Sequence, residues 1–213
     1  MRTRPALLLL ALLPLFPAPS AAQAVSAENG NVVYTAPGAP PRRLTSNRID
    51  SDPALSPDGR WVVFVRRAAQ SRVYRPGAPT HHLYRIGVDG SGLTHLLTGR
   101  PDTVPERSLS MLSSPAVSPD GRTVYFMAAG WVTSGAAHAL ELETGRTRFV
   151  APANELRVVP TGEYAGHLVV QQHRYFVGGG AYDWYWLLTP EGKEVGPLGE
   201  SPDPFWRELV EKR

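Results

Sequence analysis

Pro53-Ala-Leu-Ser-Pro-Asp-Gly-Arg-Trp-Val-Val-Phe-Val65 and Pro115-Ala-Val-Ser-Pro-Asp-Gly-Arg-Thr-Val-Tyr-Phe-Met127 align without a gap, and nine of their thirteen positions are identical. In Ser-Pro-Asp-Gly the proline pre-sets φ at the second position of a turn and aspartate suits the third. The glycine then tolerates the exit conformation, so the chemistry is that of a type I turn. Arg60–Val65 and Arg122–Met127 are rich in β-branched and aromatic residues and read as strands, with a short incoming strand before each turn.

Outward from this pair the pattern continues. After the first copy come Leu83–Ile86, a turn at Asp89-Gly90 and Leu93–Leu97. After the second come Ala139–Leu142, a turn at Thr144-Gly145 and Arg146–Val150. A weaker third unit begins at Leu156–Val159, has Pro160-Thr161-Gly162-Glu163 in the turn position, and goes on through His167–Phe176, Tyr182–Leu188 and Lys193–Leu198. Val32–Thr35 and Arg42–Thr45 read as the last two strands of a further unit. Four antiparallel strands, recurring, are the signature of a β-propeller blade. The fold class expected is therefore all-β: a small or incomplete β-propeller of about four blades. The blades fall at roughly 52–99, 114–151 and 156–199, and the strands at 32–45 either close the ring or leave it open. The two clear repeats stand 62 positions apart, more than the ~40–45 residues of a blade, which makes 72–81 and 100–112 insertions. Asp203–Lys212 reads as a short amphipathic carboxy-terminal helix, with Pro204 in its first turn.

The doubled Pro-Ala-x-Ser-Pro-Asp-Gly-Arg motif, followed by a Leu-Tyr-x-Ile-x-x-Asp-Gly strand and turn, resembles the repeats of TolB-like β-propeller proteins. The resemblance spans 32–150 and, more faintly, 156–199. It implies a periplasmic protein-interaction platform, with a protein or peptide of the cell envelope, such as a Tol-Pal-like system, as partner. The same blades also form the non-catalytic domain of prolyl-oligopeptidase-like peptidases, whose hydrolase domain has no counterpart here.

Composition and location agree with export. Met1–Ala24 has arginines at 2 and 4, the apolar run Ala6–Phe16 and a small-x-small end at Ala22-Gln23-Ala24, the three parts of a secretory signal. The run is shorter than the ~20 apolar residues a spanning helix needs. Val25–Arg213 is then one periplasmic domain with no transmembrane segment, which can oligomerise if its ring is incomplete. The 213-residue chain has no cysteine, which removes disulfides, a cysteine nucleophile and thiolate metal sites. Without the signal its net charge is +1, so nucleic acid is not an expected partner. The charge is uneven: residues 42–100 carry ten arginines and four aspartates, whereas 101–213 carry ten basic and fourteen acidic residues.

No catalytic constellation is legible. Ser134, in Gly130-Trp-Val-Thr-Ser-Gly135, lacks a Gly-x-Ser-x-Gly setting and reads as a hairpin loop. The six histidines (81, 82, 95, 138, 167 and 173) show no metal-binding spacing, and Asp58 and Asp120 read as caps of their own turns. Gly178-Gly179-Gly180 has no following lysine and reads as a hairpin, so no cofactor and no metal are expected. The candidate binding residues are aromatic. Tyr182, Trp184 and Trp186 share a face by period-two alternation, with Tyr175 and Phe176 on the neighbouring strand. Such rings either anchor a peptide or sugar or wedge between blades as core. The expected function is a non-catalytic binding platform. The alternatives are a small hydrolase or carbohydrate-acting propeller enzyme, or a truncated structural remnant.

Overall fold

A computed structural model describes residues 22–68 and 80–210. The expected signal lies outside the described residues except for its last three, as does most of the 72–81 insertion. The chain is all-β, with four antiparallel sheets in sequence order. The first holds β1 (Ala24–Glu28), β2 (Asn31–Thr35) and β3 (Arg42–Arg43). The second holds β4 (Asp50–Leu55), β5 (Trp61–Ala68), β6 (Thr80–Gly87) and β7 (Thr94–Thr98). The third holds β8 (Ser113–Val117), β9 (Thr123–Ala128), β10 (Gly135–Glu141) and β11 (Thr147–Ala153). The fourth holds β12 (Glu155–Val158), β13 (Leu168–Tyr175), β14 (Ala181–Leu188) and β15 (Glu194–Gly199). An α-turn at Asp203–Phe205 running into a π-helical turn at Trp206–Val210 makes one short carboxy-terminal helix. None of the described helices is long and apolar enough to cross a membrane.

Each sheet meanders outward from its first strand. β1 packs beside β4, β4 beside β8 and β8 beside β12, so the first strands form the inner wall of an arc. The sheets do not close into a ring, and the molecule is an incomplete propeller. The strands at 32–45 do not close it: β2 and β3 pair with β1, not with the fourth sheet. They are the last two strands of the first sheet, whose first strand, β1, the sequence reading did not include. The device responsible is the Asn29-Gly30 hairpin, in which both residues take positive φ (50° and 72°) and fold β1 back on β2.

The repeat turns form as their chemistry requires. Gly59 N donates to Ser56 O at 2.9 Å and Gly121 N to Ser118 O at 2.8 Å, and both glycines are left-handed, at φ 68° and 72°. The incoming strands are longer than read, because each carries a bulge. The ladder skips between Ser51 and Ala54 and between Ser113 and Ala116, at Asp52-Pro53 and Ser114-Pro115. Proline has no N–H for the ladder, so the bulge is where it fits.

Both faces of the middle strands are buried, which explains their unbroken apolar runs. Val62 and Phe64 face the first sheet and join Val32 and Ile86. Val63 and Val65 face the third and join Val124 and Phe126. Tyr125 and Met127, on the other side of β9, meet Leu168, Val170 and Leu188 of the fourth sheet. The 100–112 connection is part of this core: Leu109 and Leu112 are buried between the second and third sheets, and Arg100 and Leu109 exchange backbone hydrogen bonds. At the far end Phe205 covers Val169, Tyr185 and Leu187 on the outer face of the fourth sheet.

Candidate functional site

Antiparallel meanders sort their connections to two ends of the arc. One end carries the Ser-Pro-Asp-Gly turns, and its polar groups satisfy each other. Asp58 accepts from Ser56 Oγ at 2.6 Å and from Arg60 N at 3.1 Å; Asp120 accepts from Ser118 Oγ at 2.5 Å and from Arg122 N at 3.0 Å. These bonds, the serine hydroxyls first, hold both carboxyls below their usual range. Both aspartates are turn caps.

The opposite end collects the hairpin tips β1–β2, β9–β10 and β13–β14 and the links between sheets. Most of the exposed large apolar side chains among the described residues lie there: Ile49, Met111, Trp131 and Val132, and the run Tyr175-Phe176-Val177. Val132 and Val177 are fully exposed at their tips. The Gly178–Gly180 turn is a tight hairpin closed by Gly179 N to Phe176 O at 3.0 Å, with Gly179 and Gly180 at positive φ. Ser134 lies on the β9–β10 tip, where its carbonyl accepts from Trp131 N at 2.6 Å; its hydroxyl meets no histidine or carboxylate among the described residues.

The candidate aromatics divide by the register of β13 and β14. Val170, Gln172 and Arg174 stand opposite Trp186, Trp184 and Tyr182, so these six share the face toward the third sheet. Trp186 packs against the core between those sheets, with the Arg174 guanidinium 3.6 Å over its ring. Trp184 and Tyr182 are half-buried, with ring centroids 5.1 Å apart, and Phe176 extends the row at 4.6 Å from Tyr182. The row therefore runs from core to surface. Tyr175 is not part of it. Paired with Ala181, it lies on the opposite face and meets the edge of His173 at 5.0 Å, while His173 bonds Asp183 at 2.8 Å.

Beside the row, a cleft of about 300 Å³ separates β11 from the last sheet. Gln172, Arg174 and Glu194 line it: Gln172 Nε2 donates to Pro152 O at 2.8 Å, and Arg174 pairs with both Gln172 and Glu194. Its polar groups are thus committed to one another. Among the described residues no three His, Cys, Asp or Glu side chains converge as a metal set.

Two groups escaped sequence reading. Asp50 is fully buried and paired to Arg66 at 2.7 Å, and Arg66 lies 4.6 Å over the Tyr84 ring. His138 is buried between Phe126 and Phe149, with Nε2 unpartnered, and burial lowers its pKa to about 4. Nothing in the repeat motif marks either one.

No protein-family model matches this chain, and no curated protein matches it in sequence. Solved structures do match. The gluconolactonase XC5397 from Xanthomonas campestris is 16% identical, with a TM-score of 0.52 over 83% of this chain and 58% of its own. The β-propeller domain of the Trilobed protease from Pyrococcus furiosus is 17% identical, with a TM-score of 0.48 over 72% of this chain and 43% of its own. TolB from Acinetobacter baumannii is 12% identical, with a TM-score of 0.36 over 83% of this chain and 53% of its own. The chain spans about half the length of these structures. At such identities the likeness concerns the propeller fold alone.

Proposed function

We propose that this chain is an exported, non-catalytic β-propeller that binds a protein or peptide of the cell envelope, in the manner of TolB-like propellers. The observation that carries the reading is the contrast between the two ends of the arc. The turn end spends its polar groups on itself, whereas the hairpin-tip end presents exposed Trp131, Val132, Phe176 and Val177. Apolar side chains concentrated on one surface favour a macromolecular partner over solvent. The aromatic row adds half-buried rings, Tyr182 and Trp184, of the kind that anchor an interface. The reading of Met1–Ala24 as a secretory signal supports a periplasmic location, and the Ser-Pro-Asp-Gly repeats support the TolB-like assignment; a Tol-Pal-like system is the partner class to test first.

The test is capture from an envelope extract by the purified protein, read by mass spectrometry, with the heat-unfolded and quenched protein as control. A saturable partner, lost in folded Trp184→Ala, is the expected result. Capture by neither the folded protein nor the variant would overturn the reading and direct the search to small ligands or catalysis.

A further inference from the structure

The fourth sheet has an opening that the third lacks. β10 is flanked along its length, its first residue Gly135 lying opposite Ala153 of β11. β14 pairs with β13 from Leu188 to Ala181, but β15 starts opposite Leu188 and reaches only Tyr185, opposite Gly199. At Gly199 the backbone turns left-handed (φ 88°), and Pro202 then leads into the helix that packs Phe205 on the other face. Ala181–Trp184 is consequently a strand edge paired on one side only, and among the described residues no other backbone hydrogen bond reaches it. An exposed edge of this kind is a template for another strand.

The surroundings of this edge state what the strand must be. On one face stand Tyr182 and Trp184, continuing to exposed Phe176. On the other stands exposed Asp183, whose Oδ1 meets His173 Nδ1 at 2.8 Å while its Oδ2 has no hydrogen-bond partner among the described residues, and Glu200, also exposed, follows the last paired residue of β15. Arg174, the nearest cation on the aromatic face, is already engaged by Glu194 and Gln172. We propose that the β14 edge at Ala181–Trp184 receives an extended peptide as an added strand, apolar where it faces Tyr182 and Trp184 and basic where it faces Asp183. This rests on the platform reading and gives it a site and a mode: backbone hydrogen bonds hold the peptide, and alternate side chains select it.

Fluorescence anisotropy of the purified protein with a labelled heptapeptide alternating lysine and valine tests this directly. Saturable binding is expected, weakened about tenfold or more when glutamate replaces lysine. Asp183→Lys should invert that preference. Backbone N-methylation supplies the readout specific to strand addition. In an extended strand alternate N–H groups point to opposite edges, so methylating either the lysines or the valines should abolish binding while the other set is tolerated. Equal tolerance of both sets, an unchanged preference in Asp183→Lys, or no binding would overturn the proposal. If the peptide fails while envelope capture persists, strand addition is wrong and the platform stands; if both fail, both are wrong. A dimer of the protein alone that Asp183→Lys dissociates would assign the edge to a second copy and overturn the peptide reading.

Discussion

His138 is enclosed by the faces and edges of Phe126 and Phe149, and burial depresses its pKa from 6.5 to about 4. In the unfolded chain the imidazole takes up its proton near pH 6.5, while in the folded protein it stays neutral until about pH 4. Stability is therefore lost as pH falls between these values, by about 3 kcal/mol in all. Denaturant melts of His138→Leu from pH 7 to 4 should lack this component; an acid limb equal to that of the native protein would contradict the assignment. Asp50 and Arg66 present the opposite problem, a buried charge held by its partner. Arg66→Met would leave the Asp50 carboxylate uncompensated and should cost about 3 kcal/mol in chemical denaturation; a loss below about 0.5 kcal/mol would mean that Asn47, which also reaches Asp50, suffices. Neither pair was legible in the sequence, because its members are separated along the chain and meet only when the strands take their register.

The repeat unit was legible because its instructions are local. Ser-Pro-Asp-Gly specifies its turn through four consecutive residues, and the left-handed glycines follow from it. Gly121 has open space around a would-be Cβ, so Gly121→Ala should cost about 1 kcal/mol from backbone strain alone, measured by thermal melting. A neutral effect would show that the turn can relax. What escaped was also local but assigned elsewhere. Asn29-Gly30 is a strong hairpin signal, but β1, which it folds back on β2, overlaps the expected export signal at Ala24 and is almost wholly exposed, so it lacks the apolar pattern of a strand. The insertion at 100–112 read as irregular, although Leu109 and Leu112 are buried in the core between the second and third sheets. For the candidate site, alternation along β14 correctly grouped Tyr182, Trp184 and Trp186. It could not place Tyr175, whose face depends on the register of β13 against β14. The carboxy-terminal helix was visible from its apolar spacing, and its partner was not. Phe205→Ala should uncover Val169 and Leu187, lower stability by about 3 kcal/mol and raise binding of a hydrophobic dye. Unchanged stability and dye binding would mean that the helix is not a cap.

At the scale of the whole molecule, an incomplete propeller has a first and a last sheet as well as a turn face and a hairpin-tip face, and the sequence treats them differently. The last sheet is covered on its outer side by the helix, and the first ends at β3, whose exposed residues are both arginines, a pairing deterrent at a sheet edge. The charge follows the same division, arginine-rich over 42–100 and acidic over 101–213. The faces differ in polarity instead, and that contrast is the central claim: partners meet the hairpin-tip face. Quantitative capture of the envelope partner decides it, comparing the native protein with two folded variants. One carries Trp131→Ser, Val132→Ser, Phe176→Ser and Val177→Ser on the tip face; the other carries Arg60→Ser, Arg122→Ser and Arg146→Ser on the turn face. The account predicts that the first variant loses saturable capture and the second retains it. Capture undiminished in the first, or lost only in the second, would contradict it.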